Sequence, residues 1–164
     1  MGVVERLKIP NLPPPEEAGE ILRAIQRLPC GHFLMTAAFE DRRDGTRVRS
    51  VAPCSDENLL ICVSSRKGSA VEPLIRDSRA FAINLVGPED RLLLRKFPED
   101  EALRPPPDEM GDPFDSIACL TLRTGSPVIE RAALALDCEV VRHFDLEADA
   151  EIFVGQVVAF RMDG

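Results

Sequence analysis

Short apolar runs with β-strand composition follow one another from residue 32 almost to the end of the chain. The pattern predicts seven of them as strands, at residues 32–39, 46–52, 58–64, 80–86, 117–123, 135–144 and 152–162. The polar stretch that ends at Gly45 is predicted to form the turn of a β-hairpin between the first two of these strands. Because many short strands with short links leave unpaired edges unless the sheet closes, we expect a mainly β fold, an antiparallel β-barrel of six to seven strands.

The helical patterns are few and brief. Residues 16–28 place apolar side chains three or four positions apart, which predicts an amphipathic helix that ends before Pro29. A second helix is expected to begin near Ser69, which has capping-box spacing to Glu72, and a third after Pro88.

The remaining segments suggest a single domain over residues 1–164, with an N-terminal extension at 1–15. Residues 98–116 form a long, acidic, proline-rich loop for which we expect no regular structure. Such loops often act as flaps over a binding site.

A net charge of −8 opposes binding to nucleic acid or to an anionic membrane surface. Without a long apolar run or a signal-peptide core, the sequence predicts a cytoplasmic protein. Five widely spaced cysteines include no CxxC pair, so we predict no metal site. Cys62 and Cys138 are expected to be reduced core residues, and Cys54 is the one cysteine in a polar stretch.

Four stretches carry a family resemblance by their order and spacing. They are LPCGHFLMTA with DGTRVRSVAP, then ICVSSRKGSAVEPLIRDSRAFAINLV, then LLLRKF with GDPFDS, and finally GSPVIERAALALDCEVV with IFVGQVVAF. Together they resemble the flavin reductase-like family of FMN-binding split-barrel proteins. The resemblance implies a split β-barrel, FMN or FAD as cofactor, NAD(P)H as co-substrate and a homodimer.

Two departures from the family pattern keep alternatives open. The family's Gly-Asp-His is replaced by Ala148, Asp149 and Ala150, so the histidine near flavin and nicotinamide is missing. Residues 49–58 also resemble the related pyridoxamine phosphate oxidase-like barrels. The chain is therefore interpreted as an NAD(P)H:flavin oxidoreductase, with two alternatives: a non-enzymatic flavin-binding or electron-transfer protein, or a pyridoxamine phosphate oxidase-like flavoenzyme.

The predicted cofactor-binding residues lie in two short segments. The polar turn offers hydroxyls and positive charge for a phosphate beside Gly68, with Ser64, Ser65, Arg66, Lys67 and Ser69. The second strand would support the ribityl chain or ring with Arg49, Ser50, Val51 and Ala52. The alternative is an ordinary solvated turn, with exposed arginines that balance an acidic surface.

No catalytic side chain is predicted, because the flavin itself carries hydride chemistry at its N5 and the protein binds and orients it. Both histidines, His32 and His143, lie in apolar runs and are assigned structural roles.

Overall fold

The computed structural model describes residues 13–106, 109 and 111–163, so most of the predicted extension at 1–15 lies outside the described residues. The chain divides into two compact units between Cys30 and Gly31. In the first unit, helix α1 (Pro15–Ile25) confirms the amphipathic helix, although it ends three residues earlier than expected. Its apolar residues Ile21, Leu22 and Ile25 are exposed.

The second unit holds the strands and two further helices. The strands are β1 (Phe33–Phe39), β2 (Arg42–Val48), β3 (Ser50–Ser55), β4 (Leu60–Arg66), β5 (Ala80–Leu85), β6 (Cys119–Leu120), β7 (Val128–Ile129), β8 (Leu134–Asp145) and β9 (Ala150–Met162). The helices are α2 (Glu72–Ser78) and α3 (Arg91–Lys96), followed by a 3₁₀ turn at Glu101–Leu103.

Seven strands form one antiparallel sheet in the order β2-β1-β5-β8-β9-β4-β3. Its two outer strands, β2 and β3, are consecutive in sequence and are separated by Arg49 alone. The segment from β2 to β3 therefore pairs with β1 through its first half and with β4 through its second, which closes the sheet. This is the split β-barrel that we expected, and closure removes the exposed edges.

The barrel interior is filled by alternate residues of its strands. Met35, Val63, Phe81 and Phe153 are buried there, and α2 adds Ile75. A buried amide, Asn84, donates hydrogen bonds to the carbonyl of Leu34 and to the hydroxyl of Thr36, and it accepts one from the Ile129 amide. Because Asn84 is fully buried and bonded on both sides, it holds β7 against the barrel.

Several predicted boundaries were wrong. The hairpin turn is formed by Glu40 and Asp41 rather than by DRRDG, and Glu40 has a φ of 55°. The next helix begins at Glu72 with no side-chain cap, and Glu72 instead accepts a hydrogen bond from the Gly68 amide. Thus the capping box at Ser69 does not form.

The loop and the run at 117–123 also differ from expectation. The 98–116 loop contains the 3₁₀ turn, and the run at 117–123 has only two residues in strand geometry. No helix among the described residues is long and apolar enough to cross a membrane.

Candidate functional site

A cavity of about 270 Å³ opens where β2 passes into β3. Strand β4, the 98–116 loop and the start of β9 complete its walls. Its lining residues are Thr46, Arg47, Val48, Arg49, Ser50, Ser64, Ser65, Arg66, Glu99, Glu101, Asp149 and Ala150. The cavity thus combines three arginines with three acidic side chains and a set of hydroxyls.

The three arginines differ in their partners. Arg47 lies 3.4 Å from the carboxylate of Glu99 and 3.3 Å from Nδ1 of His32. In the described part of the chain, the side chains of Arg49 and Arg66 form no ion pair. Both are exposed at the rim of the cavity. Two guanidinium groups without a carboxylate partner among the described residues therefore line the cavity, and guanidinium is a donor that matches phosphate and carboxylate geometry.

The 98–116 loop supplies the acidic wall. Glu101 accepts a hydrogen bond of 2.5 Å from the hydroxyl of Thr46, and Glu99 faces Arg47. Both contacts join the loop to β2, across more than fifty residues of sequence. The loop therefore borders the cavity, where Glu99 pairs with Arg47, while Arg49 and Arg66 form no ion pair with any described residue.

Arg104 holds this part of the loop in place. Its side chain is only 6% exposed and forms ion pairs with Asp44 at 2.7 Å and Glu101 at 3.2 Å. Its guanidinium also lies over the ring of Phe97, 5.4 Å from the centroid. Burial on its own lowers the pKa of Arg104, but hydrogen bonds and charge from the two carboxylates outweigh burial and raise this pKa.

Five of the nine predicted cofactor-binding residues line this cavity: Arg49, Ser50, Ser64, Ser65 and Arg66. Ala52 lies exposed on β3 beyond Ser50, and Val51 packs against the barrel core. Their role in binding a cofactor stays a prediction.

The remaining two predicted residues belong to the turn after β4. Lys67 forms an ion pair with Asp145, which holds the pKa of that carboxyl below its ordinary value. The hydroxyl of Ser69 is buried and has no hydrogen-bond partner in the described structure. A buried hydroxyl without a partner is costly, which is consistent with a polar ligand group at this turn.

Glu99 and Glu101 were not predicted, because they come from a loop that carries no binding motif. Asp149 and Ala150, the positions of the altered Gly-Asp-His, were noted from the sequence, and both line the cavity. Hence the place where the family histidine would stand borders the same space as Arg49 and Arg66.

Both histidines make contacts of a structural kind. His143 stacks on Phe153 with ring centroids 4.7 Å apart, and its Nε2 lies 2.8 Å from the buried carboxylate of Glu151. His32 contacts Arg47.

One expectation about the cysteines was wrong. Cys54 of β3 and Cys62 of β4 form a disulfide with a Cα–Cα distance of 6.1 Å, so the prediction of a reduced Cys62 was wrong. Cys138 is a free, buried thiol as expected, and burial raises its pKa to about 12, with a smaller contribution from Asp137.

A protein-family model described as "Flavin reductase like domain" matches residues 25–164. Among characterised proteins, the chain is 30% identical over 139 residues to the NADPH-flavin oxidoreductase of Streptomyces viridifaciens, covering 84% of this chain and 69% of that protein. It is 27% identical over 169 residues to the FMN reductase (NADH) SmoA of Agrobacterium fabrum, covering 100% of this chain and 91% of the relative.

Among solved structures, the fold matches the NADH:FAD oxidoreductase SgcE6 of Streptomyces globisporus C-1027 with a TM-score of 0.75. The match covers 93% of this chain and 87% of that one at 21% identity, a level of similarity that concerns the fold alone.

Proposed function

The chain belongs to the flavin reductase-like family, and from that membership and the cavity described above we propose that it is an NAD(P)H-dependent flavin reductase. The observation that carries this proposal is a pair of guanidinium groups, those of Arg49 and Arg66, which have no ion-pair partner among the residues that the structure describes and which lie beside exposed hydroxyls at the junction of β2 and β3.

The residues present fit FMN as the cofactor, and FAD offers the same phosphate and ring. Arg49 and Arg66 would hold the phosphate through charge-assisted hydrogen bonds, and the hydroxyls of Ser50 and Ser64 line the same cavity. The turn residues Ser65, Lys67 and Ser69 complete the polar end of the proposed site. The exposed face of β3 at Ala52, with Val51 packed against the core, would support the flat part of the cofactor.

A bound flavin would supply hydride acceptance from a nicotinamide, which is the chemistry that no side chain here provides. The protein's own contribution is therefore to bind, to orient and to exclude water. The loop residues Glu99 and Glu101 close one side of the cavity, where Arg104 holds Glu101 and Arg47 pairs with Glu99.

The proposal is tested by measuring FMN affinity and NAD(P)H oxidation in the same protein. Loss of one charge-assisted hydrogen bond costs about 1.5–3 kcal/mol, so R49A and R66A should each raise the Kd for FMN at least about tenfold. The matched control is R95A, an exposed arginine on α3 that lies outside the cavity. Unchanged affinity in both R49A and R66A would refute the site, and absence of flavin-dependent NAD(P)H oxidation would refute the reductase activity.

A non-enzymatic flavin carrier is the second candidate, favoured by one observation. Ala150 lines the cavity at the position of the family histidine, so a side chain near the proposed nicotinamide site is lost. This candidate predicts that FMN stays bound to the protein and that NADH leaves its visible absorption bands unchanged.

We also propose a homodimer. An apolar groove of about 470 Å³ runs along β4 and β9, and the large side chains of Leu59 and Phe160 that line it are 59% and 64% exposed. A continuous apolar surface of this kind is typical of an interface, and a second copy of the same chain is its simplest occupant.

Sedimentation tests the dimer directly. The wild-type protein should sediment as twice the 18.1 kDa chain, and F160E should shift it toward the single chain. A wild-type protein that sediments as a single chain would contradict the dimer. The cytoplasmic location and the single domain over residues 1–164 stay predictions.

A further inference from the structure

A second cavity, of about 150 Å³, is bordered by α2, its C-cap Arg79, and the strands β8 and β9. We call it the α2 cavity. None of its lining residues lines the cavity at the junction of β2 and β3, where the cofactor is proposed. A ligand in the α2 cavity would therefore have contacts of its own with the protein.

The floor of the α2 cavity is apolar. Ile75 and Phe153 are buried members of the barrel core, and Val140 packs against this core. The imidazole of His143 stacks on the ring of Phe153, with centroids 4.7 Å apart and planes inclined by 24°, and both residues line the cavity. A cavity of about 150 Å³ with apolar walls accommodates one benzene ring. The α2 cavity thus has the size and the surface for a single aromatic ring.

The rim of the α2 cavity carries an excess of positive charge, although the net charge of the protein is −8. Arg76 lies 2.8 Å from the carboxylate of Glu72, the one acidic group among the lining residues, so their charges cancel. The buried carboxylate of Glu151 faces the neighbouring imidazole and does not line the cavity. Arg79 and Arg142 are exposed and form no ion pair with any described residue. Two guanidinium groups therefore remain for a ligand, and their geometry matches a carboxylate.

Two irregularities of the backbone place these arginines at one cavity. Arg79 ends α2 in the left-handed conformation, with a φ of 58°, and its carbonyl accepts a hydrogen bond of 2.9 Å from the Val140 amide. The pairing of β8 with β9 shifts between Val140 and Arg142, and shifts of this kind redirect side chains. Accordingly, Arg142 and His143 both line the cavity although they are neighbours in sequence.

The left-handed conformation of Arg79 is itself informative. Glycine is the usual residue at such a helix end, because it has no Cβ and adopts a positive φ without strain. An arginine that is kept at this position against its conformational preference is consistent with a function of its side chain.

We propose that the α2 cavity is a second ligand site, which binds a small aromatic carboxylate. The ring would lie on Ile75, Val140 and Phe153, and the carboxylate would accept hydrogen bonds from Arg79 and Arg142. Inorganic phosphate has no apolar part to cover the floor, and an uncharged ring leaves both guanidinium groups without a partner. The inference does not depend on the proposed function, because the two cavities share no lining residue.

Proton NMR tests the site, since the chain contains only two histidines. His143 lines the α2 cavity, whereas His32 contacts Arg47 of the other cavity. Titration with benzoate at constant pH should shift the Cε1 proton signal of His143 with a Kd of about 1 mM or tighter, and should leave the signal of His32 in place. The variant H143Q assigns the two signals. A shift confined to His32, equal shifts of both signals or no shift at all would each overturn the proposal.

Two variants test the contacts of the carboxylate. R142A removes one guanidinium group, and R79G removes the other at a position whose conformation suits glycine, so R79G should fold at least as stably as the wild-type protein. Each variant loses a charge-assisted hydrogen bond and should raise the Kd for benzoate at least about tenfold. The matched control is R95A, an exposed arginine on α3 outside the cavity, which should leave this Kd unchanged. Wild-type affinity in both R142A and R79G would refute the site.

Benzamide and acetate separate the role of the ring from that of the charge. Benzamide has the shape of benzoate without its charge, and acetate has the charge without the ring, so each should bind at least about tenfold more weakly than benzoate. Benzamide that binds as tightly as benzoate would overturn the role of the arginines, and equally tight acetate would overturn the role of the apolar floor.

Titration with FMN distinguishes this site from the proposed cofactor site. R142A should bind FMN as the wild-type protein does, whatever the outcome for the reductase activity. A loss of FMN affinity in R142A as large as that in R49A would show that the two cavities are one site and would overturn the proposal.

Discussion

Gly155 of β9 offers the sharpest test of how the barrel core is packed. It lies opposite Ile61 of β4 and Val140 of β8, and it is buried. A Cβ atom at this position would lie 2.6 Å from Cζ of Phe81 and 2.9 Å from Cβ of Cys138. Favourable carbon contacts need about 3.5–4.0 Å, so the neighbours would have to move by most of an ångström.

The movement is costly because neither neighbour has free space. Phe81 is fully buried and packs against Phe153 with ring centroids 6.3 Å apart, while the Cβ of Cys138 is fixed by the backbone of β8. Overpacking of this kind costs about 1–3 kcal/mol, so we expect G155A to lower the free energy of unfolding by about 2 kcal/mol. For a chain of this size that corresponds to a fall in Tm of about 4–8 °C.

Denaturant and thermal unfolding measure the effect, with G19A as the matched control. Gly19 lies in α1 with no heavy atom within 4 Å of an added Cβ, so G19A should cost nothing. The double variant F81L/G155A should be less destabilised than the sum of the two single variants by about 1 kcal/mol, because the smaller side chain relieves the clash. A G155A protein as stable as wild type, or strict additivity in the double variant, would refute the steric reasoning.

Three further predictions concern the charged and thiol groups. Asp112 forms a bidentate ion pair with Arg43, and the hydrogen bonds from Arg43 lower the pKa of this carboxyl from its ordinary value. The pair therefore stabilises the fold above the ordinary carboxyl pKa, and this contribution is lost as the pH falls through the lowered pKa. D112N should lower the free energy of unfolding by up to about 1 kcal/mol at neutral pH, a small value because solvent screens the ion pair. In urea unfolding, the difference between D112N and the wild-type protein should vanish in acid. Because burial raises the pKa of Cys138 to about 12, iodoacetamide should alkylate it only in denaturant, as peptide mass spectrometry would reveal. R104M should lower the free energy of unfolding by about 2–3 kcal/mol, which is less than the loss of a fully buried ion pair costs, because the acidic partners of Arg104 reach solvent. The same variant should make residues 98–106 more sensitive to proteolysis.

The local features of the fold were predictable from the sequence because they depend on residues close together in the chain. The run at 80–86 became β5 almost unchanged, since five consecutive buried residues with turn signals on both sides allow few alternatives. The structure also explains why a glycine stands at position 155 of the family-like motif, because only a residue without a Cβ atom fits beneath Phe81. Boundaries such as the turn at Glu40 depended on backbone choices that composition does not specify.

Contacts between distant segments were not predictable in this way. Glu101 meets Thr46 across 55 residues, and Glu99 meets Arg47 across 52. The sequence around Glu99 and Glu101 does not indicate these contacts, since it shows only that the 98–116 loop is acidic and proline-rich. The disulfide was missed for the same reason, because the pairing of β3 with β4 decides whether Cys54 and Cys62 approach each other.

The position of the cavity follows from how the barrel closes. The sequence predicted one strand over 46–52, whereas the structure ends pairing with β1 at Val48 and begins pairing with β4 at Ser50. Arg49 lies between, with its carbonyl accepting a hydrogen bond from the Gly31 amide. Where one strand changes partners, its two neighbours diverge and leave a space that side chains must fill or a ligand can enter. The residue at this point, Arg49, has no carboxylate partner among the described residues, so barrel closure leaves a cationic group beside that space, and this is the physical reason why we propose the cofactor there.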